Sequence, residues 1–148
     1  MKILLLSDSH GKVQKVMQAI EVGNADYTIF LGDGLRDFEG LSDDIIKVQG
    51  NCDSLYSFDL PFTTIKDFSG HRFLLTHGHL FKAKWGVGGL IMEAKASNCD
   101  CVCFGHTHTP LNITEDGVTL INPGSIANGD YAILNINNGK IVVENKTL

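Results

Sequence analysis

At 148 residues, 43% hydrophobic and 20% charged, the chain has the size and balance of one globular domain, and 1–148 reads as a single unit without repeat, linker or low-complexity tract. No apolar run approaches the ~20 residues of a membrane span, which excludes an integral membrane helix. The net charge of −5, without any Lys/Arg cluster, excludes extended nucleic acid as a partner, because nothing would offset a phosphate backbone. It leaves small phosphorylated molecules open, since a bound cation can supply positive charge locally. The N-terminus carries one lysine and then an apolar run with no small-residue cleavage site, so a cytoplasmic protein is expected. An acidic, patch-poor sequence carries no signal for or against a homo-oligomer.

Residues 3–6, Ile-Leu-Leu-Leu, form an uninterrupted aliphatic run, the mark of a strand covered on both faces in a parallel sheet. It runs into Ser7-Asp8-Ser9-His10-Gly11. If the extended backbone persists through Ser9, Asp8 and His10 project to one side and offer an oxygen and a nitrogen to a common point. Val13, Val16, Met17 and Ile20 then give the stripe of a helix closed by Gly23 and Asn24. Tyr27 to Leu31 is a second buried strand that stops at Gly32-Asp33-Gly34. Ile45 to Val48 is a third, stopping at Gly50-Asn51-Cys52-Asp53. Strands that each end in a glycine beside an acid or amide describe a parallel sheet whose carboxyl-end loops converge.

Thr63–Phe68 and His71–Thr76, joined at Ser69-Gly70, read as an antiparallel hairpin that delivers His77-Gly78-His79. His71 sits at the hairpin turn and is expected at the surface. Val87, Leu90, Ile91 and Ala94 mark a second helix, and Cys101 to Phe104 a short strand running into Gly105-His106-Thr107-His108. In that apolar run Cys101 and Cys103 behave as small hydrophobes. From Pro110 on, the chain is strand-like, with turns at Asp116-Gly117 and Asn138-Gly139, and these segments read as structural.

Singly, each loop residue has an ordinary explanation, as an Asx turn, a cap or a hydrogen-bonded imidazole. Together, five strand ends deliver Asp8, His10, Asp33, Asn51, His77, His106 and His108. Carboxylates, imidazoles and one amide, with no obvious thiolate, suit a divalent transition metal. Manganese comes first, with nickel, zinc, cobalt and ferrous iron also compatible. Seven groups exceed one coordination sphere but fill two if a carboxylate bridges. Two adjacent ions can activate a water and clamp both oxygens of a phosphoryl displacement, which points to phosphoester hydrolysis.

Asp8-x-His10, Gly32-Asp33, Gly50-Asn51-Cys52-Asp53, His77-Gly78-His79 and Gly105-His106-Thr107-His108, in this order, resemble the signature of the calcineurin-like metallophosphoesterases. The Asn122-Pro123-Gly124-Ser125 segment and the short length resemble the small YfcE/MJ0936-type phosphodiesterase branch, which also contains the retromer subunit Vps29. The resemblance implies a four-layer α/β/β/α sandwich, the metallo-dependent phosphatase fold. It implies Asp8, His10, Asp33 and His108 on one ion, and Asp33, Asn51, His77 and His106 on the second. Asp33 would bridge, a hydroxide between the ions would be the nucleophile, and Asn51 would also help place the phosphate.

Many members carry a histidine after the Gly-Asn pair, where this chain has Cys52, a weak proton donor near its ordinary pKa. Leaving-group protonation is then expected from His79, from metal-bound water or from no group at all. Asp53 is expected to orient a neighbour or to cap a helix, Lys12 to face solvent, and Asp37 to lie at the surface. With little chain left for a cap, an open site and a small phosphoester substrate are expected. The alternative is a Vps29-like, weakly active or inactive protein-binding scaffold, which would have no need to keep seven hard-cation donors.

Overall fold

The computed structural model describes residues 1–55 and 59–148. Strands β1 (Lys2–Leu6), β2 (Tyr27–Phe30) and β3 (Ile46–Lys47) run parallel. β9 (Asp130–Asn137) lies antiparallel to β1, and β10 (Lys140–Thr147) closes this sheet in the order β10-β9-β1-β2-β3. The second sheet has the order β4-β5-β6-β8-β7, from β4 (Thr63–Phe68), β5 (His71–Thr76), β6 (Cys101–Cys103), β7 (Leu111–Glu115) and β8 (Val118–Asn122). Its central strands β5, β6 and β8 are parallel. The three expected hairpins form with the turns that their Gly-containing dipeptides predict.

The side chains separate into layers by strand alternation. Ile3, Leu5, Ile29 and Leu31 from one sheet meet Phe73, Leu75, Cys101, Cys103 and Ile121 from the other in a core between the sheets. Leu4, Leu6 and Phe30, on the outer face of the first sheet, pack against α1 (Val13–Gly23). Leu74, Val102 and Leu120 pack outward against α2 (Gly88–Ala96). The result is the four-layer α/β/β/α sandwich. The cysteines of β6 are buried hydrophobes, as expected.

One expectation about packing is corrected. Val16 is buried and Ile20 packs against the core as expected, but Val13 and Met17 are exposed, and α1 buries Ala19 and Gly23 in their place. A Cβ on Gly23 would stand 3.1 Å from the Leu4 side chain, so the helix docks along a seam of small residues. Apolar periodicity weighs bulk, whereas close approach selects its absence.

Register places the site. Leu6 pairs with Phe30 and Phe30 with Lys47, so β1, β2 and β3 end level. Leu75 pairs with Cys103, which levels the ends of β5 and β6 in the other sheet. All five chemistry-bearing loops therefore emerge along one edge of the sandwich.

Candidate metal centre

Asp8 does not reach the centre by continued extension. β1 ends at Leu6, and Asp8 and His10 adopt left-handed φ values of 56° and 42°. Asp33 (62°), His106 (68°) and His108 (60°) do the same. Non-glycine residues rarely occupy this region, and Asp and His are among those that tolerate it best. The expected geometry through an extended Ser9 is thus replaced by two sharp reversals that bring the same groups together.

The floor of the centre is buried and the rim is open. Asp8 and His77 are fully buried and Asp33 is 3% exposed, while His10, Asn51, Cys52 and His108 reach solvent. Asp8 Oδ1 stands 3.1 Å from His108 Nε2, 3.6 Å from His10 Nε2 and 3.8 Å from His77 Nε2. Asp33 Oδ2 stands 3.3 Å from His77 Nε2 and 3.9 Å from His10 Nε2. Nitrogen faces nitrogen at 3.3 Å between His10 and His108, and at 3.2 Å between His77 and His106. Two sets result, Asp8/His10/His108 and Asp33/His77/His106, each with its donor atoms mutually within 4.8 Å.

The donors fit divalent cations. Ligands about 2.05 Å from one ion stand about 2.9 Å apart at a right angle and about 3.3 Å apart at the tetrahedral angle, and the separations here, 3.1–3.6 Å in the first set and 3.2–3.3 Å in the second, lie within or a few tenths of an ångström beyond that range. Asp8 Oδ1 is buried without a hydrogen-bond partner, a costly state for a carboxylate oxygen unless a cation serves it.

Second contacts fix these orientations. Ser7 Oγ–H and the His106 N–H both donate to Asp8 Oδ2, at 2.5 and 3.0 Å, which turns Oδ1 toward the imidazoles. His77 Nδ1–H donates to the Leu31 carbonyl at 2.8 Å, which makes Nε2 the nitrogen that faces Asp33. The Cys52 N–H donates to Asp33 Oδ1 at 2.8 Å and leaves Oδ2 facing the histidines. Asp53 is buried and receives the N–H groups of Asp33, Gly34, Leu35 and Gly50. It therefore orients the Asp33 loop.

Electrostatics follow from this packing. Burial, the largest single influence on Asp33, pushes its carboxyl up, but the hydrogen bond and charge of His77 with the Cys52 N–H hold it well below the usual range. Burial likewise pulls His77 down and is outweighed by Asp33, Asp8 and the Leu31 carbonyl, so His77 is raised. His106 is lowered to about 4 by burial and by the charges of His77 and Lys84. His79 is lowered by burial and by His77, which leaves a neutral ring whose Nδ1 is buried without a partner. Burial and the neighbouring carboxylates Asp33, Asp53 and Asp8 raise the Cys52 thiol.

Most residues singled out from sequence meet here. Asn51 lies on the exposed rim with its amide toward Cys52 Sγ at 3.4 Å. His79 stands behind His77 and His106, ring centroids 5.5 and 6.1 Å away, with Phe62 edge-on at 5.7 Å. Lys12 is exposed, as expected. Asp37 is not a surface residue. It is 6% exposed and accepts Ser9 Oγ–H at 2.6 Å and the Gly11 N–H at 2.8 Å, one on each side of His10.

His71 is likewise engaged rather than free, its two ring nitrogens 2.6 Å from Asp100 Oδ2 and 2.7 Å from the Gly139 carbonyl. The Asn122–Ser125 segment, singled out from sequence without a role, braces the centre: the Asn122 amide props the Gly105 carbonyl, and Ser125 donates to the Asp8 carbonyl. Those contacts depend on burial, which is not visible in spacing. A cleft of about 480 Å³ opens beside His10, Asp33 and Cys52, lined also by Val13, Arg36 and Glu39.

The chain matches the calcineurin-like phosphoesterase superfamily domain over residues 1–139. It is 31% identical to the probable metallophosphoesterase YsnB of Bacillus subtilis, covering 97% of this chain and 89% of that relative. It is also 31% identical to the phosphodiesterase MJ0936 of Methanocaldococcus jannaschii, covering 84% of this chain and 83% of the other. The crystal structure of a predicted phosphoesterase from Streptococcus pneumoniae superposes with a TM-score of 0.85 at 28% identity, over 99% of this chain and 88% of that one. A family match across nearly the whole length agrees with a donor cluster built at the ends of five strands: the chain belongs to the calcineurin-like phosphoesterase superfamily and is a metal-dependent phosphoester hydrolase.

Proposed function

We propose that the protein is a dimetal-dependent phosphodiesterase for small substrates. Asp8, His10, Asp33 and His108 would hold one ion and Asp33, Asn51, His77 and His106 the other, with manganese suited to this mixture of carboxylate and imidazole. When bound, such a pair supplies a nucleophilic oxygen at neutral pH and charge stabilisation for the transferring phosphoryl group. Asp33 would be shared, its Oδ1 occupied by the Cys52 N–H and its Oδ2 turned to the histidines.

The rest of the work falls to the chain's own groups. Asn51, on the open rim beside the cleft, would orient the phosphate by donating from its amide. The leaving alcohol would lie in the 480 Å³ cleft, a volume suited to a small molecule and not to a folded partner. A protonated Cys52 at the lip of that cleft is a weak acid, and His79 is neutral. Neither is a strong proton donor, so esters with good leaving groups should be favoured.

The observation that carries this reading is the buried, unpartnered Asp8 Oδ1 at the meeting point of three imidazoles. It is tested by giving metal-stripped protein bis(p-nitrophenyl) phosphate or p-nitrophenyl phosphate with Mn²⁺, Ni²⁺, Zn²⁺ or Mg²⁺. Hydrolysis with Mn²⁺, faster for the diester, is expected. Asp33→Asn should lower it by more than the roughly 10–100-fold typical of residues that only support a ligand. No hydrolysis with any ion would favour the scaffold alternative, and full activity in Asp33→Asn would refute the shared carboxylate.

A further inference from the structure

A third set of donors lies at the edge of the two sets already described. One atom each from His10, Asp33 and Cys52 lie mutually within 4.8 Å, the last being a thiol sulfur. Cys52 is the one exposed cysteine; Cys99, Cys101 and Cys103 are buried.

The position of Cys52 is fixed by the fold. Its own N–H is held on Asp33 Oδ1, and Asp53 ties the two loops together by accepting Asp33 N–H at 2.7 Å and Gly50 N–H at 2.8 Å. A Cβ on Gly50 would fall 2.1 Å from Asp33 Oδ1, so the Gly50–Asp53 turn sits directly against the carboxylate. The sulfur is therefore pre-placed beside His10 and Asp33, and little ordering is needed to use it.

We propose that Cys52, with His10 and Asp33, forms a thiolate-containing position selective for a soft or borderline divalent cation such as Cd²⁺ or Zn²⁺. The inference rests on the dimetal reading of the neighbouring donors. The sulfur–metal bond forms as the thiol gives its proton to solvent, with no change of oxidation state. Hard ions such as Mn²⁺ and Mg²⁺ gain little from sulfur, so this position discriminates softer ions from hard ones at two of the ligands proposed for the pair.

The test is titration of metal-stripped protein with Co²⁺ at neutral pH, followed by absorption. The visible d–d bands report filling of the imidazole and carboxylate donors, and a near-ultraviolet sulfur-to-cobalt band reports Cys52. Both are expected in the unaltered protein, and Cys52→Ser should keep the first and lose the second. Visible bands without a charge-transfer band would overturn the thiol inference and leave the dimetal reading standing. No bands at all would overturn both, and a charge-transfer band that survives Cys52→Ser would assign the thiolate elsewhere.

A second measurement avoids any variant. Cd²⁺ should slow alkylation of Cys52 by iodoacetamide by at least about tenfold, with Mg²⁺ doing much less, as soft-ligand preference requires. Equal labelling rates with and without Cd²⁺ would also overturn the proposal.

Discussion

At the scale of single residues, the centre is built from conformations that the backbone resists. Five of the donor residues hold φ between 42° and 68°, each at a cost of order 1–3 kcal/mol unless the surroundings impose it. The chain imposes it with carboxylates that gather backbone N–H groups and a serine hydroxyl. Asp53 gathers four N–H groups around the Asp33 loop, and Asp37 holds the two residues flanking His10. The donors themselves were legible from their place at strand ends, whereas Asp37 was not, because nothing in its spacing distinguishes a buried backbone acceptor from a solvated acid.

A consequence is that Asp37→Ala should act through His10. Losing two charge-assisted hydrogen bonds should lower stability by about 2 kcal/mol and weaken one of two bound Mn²⁺ ions by roughly 10–100-fold. Equilibrium binding by calorimetry would check this. Equal weakening of both ions, or of neither, would contradict a role confined to the His10 side.

At the scale of elements, what was readable was what repeats with a fixed period. The hairpin Thr63–Phe68 with His71–Thr76 forms with the boundaries that alternation and Ser69-Gly70 predict. The buried face of α1 was half legible: Val16 and Ile20 pack inward, but Ala19 and Gly23, not Val13 and Met17, complete the contact. β3 contracts to two residues, yet its end still matters, because Gly50 lies against the end of β2.

Gly32 (φ +97°) meets Gly50 backbone to backbone: an added Cβ would fall 2.4 Å from the Gly50 nitrogen. Gly32→Ala combines a conformation costing about 1–2 kcal/mol for an L-residue with a clash against backbone that cannot swing away. A loss of about 3 kcal/mol, or roughly 6–12 °C in Tm, is expected. Metal affinity should fall as well, since the Asp33 and Asn51 loops are forced apart. An unchanged Tm would show that the two strand ends are not packed as described.

At the scale of the whole molecule, the two sheets are joined at the site by direct loop contacts and, far from it, by His71. His71 on β5 places Nδ1 2.6 Å from Asp100 Oδ2 and Nε2 2.7 Å from the carbonyl of Gly139, in the β9–β10 turn of the opposite sheet. Both partners are acceptors, so both ring nitrogens donate only in the imidazolium form. The hydrogen bond to Asp100 and then that to Gly139 raise His71 above its ordinary 6.5, against a smaller opposing effect of burial. A raised folded value means that the contribution to stability is fully present below pH 6.5 and is lost as pH rises through the folded pKa.

Asp100 works in the opposite sense. Burial pushes it up, but His71 and the Arg72 N–H hold it below its ordinary 3.8, so its contribution is present above pH 3.8 and fades as pH falls through the lowered value. The pair therefore braces the two sheets most firmly in mildly acidic solution. Tm of the protein and of His71→Gln, measured with chelator from pH 5 to pH 9, should differ most at the acid end and converge as pH rises, the shared titrations of the remaining groups cancelling in the comparison. A Tm difference that stays constant across the range would mean that His71 contributes packing alone and that its two acceptors hold a neutral ring.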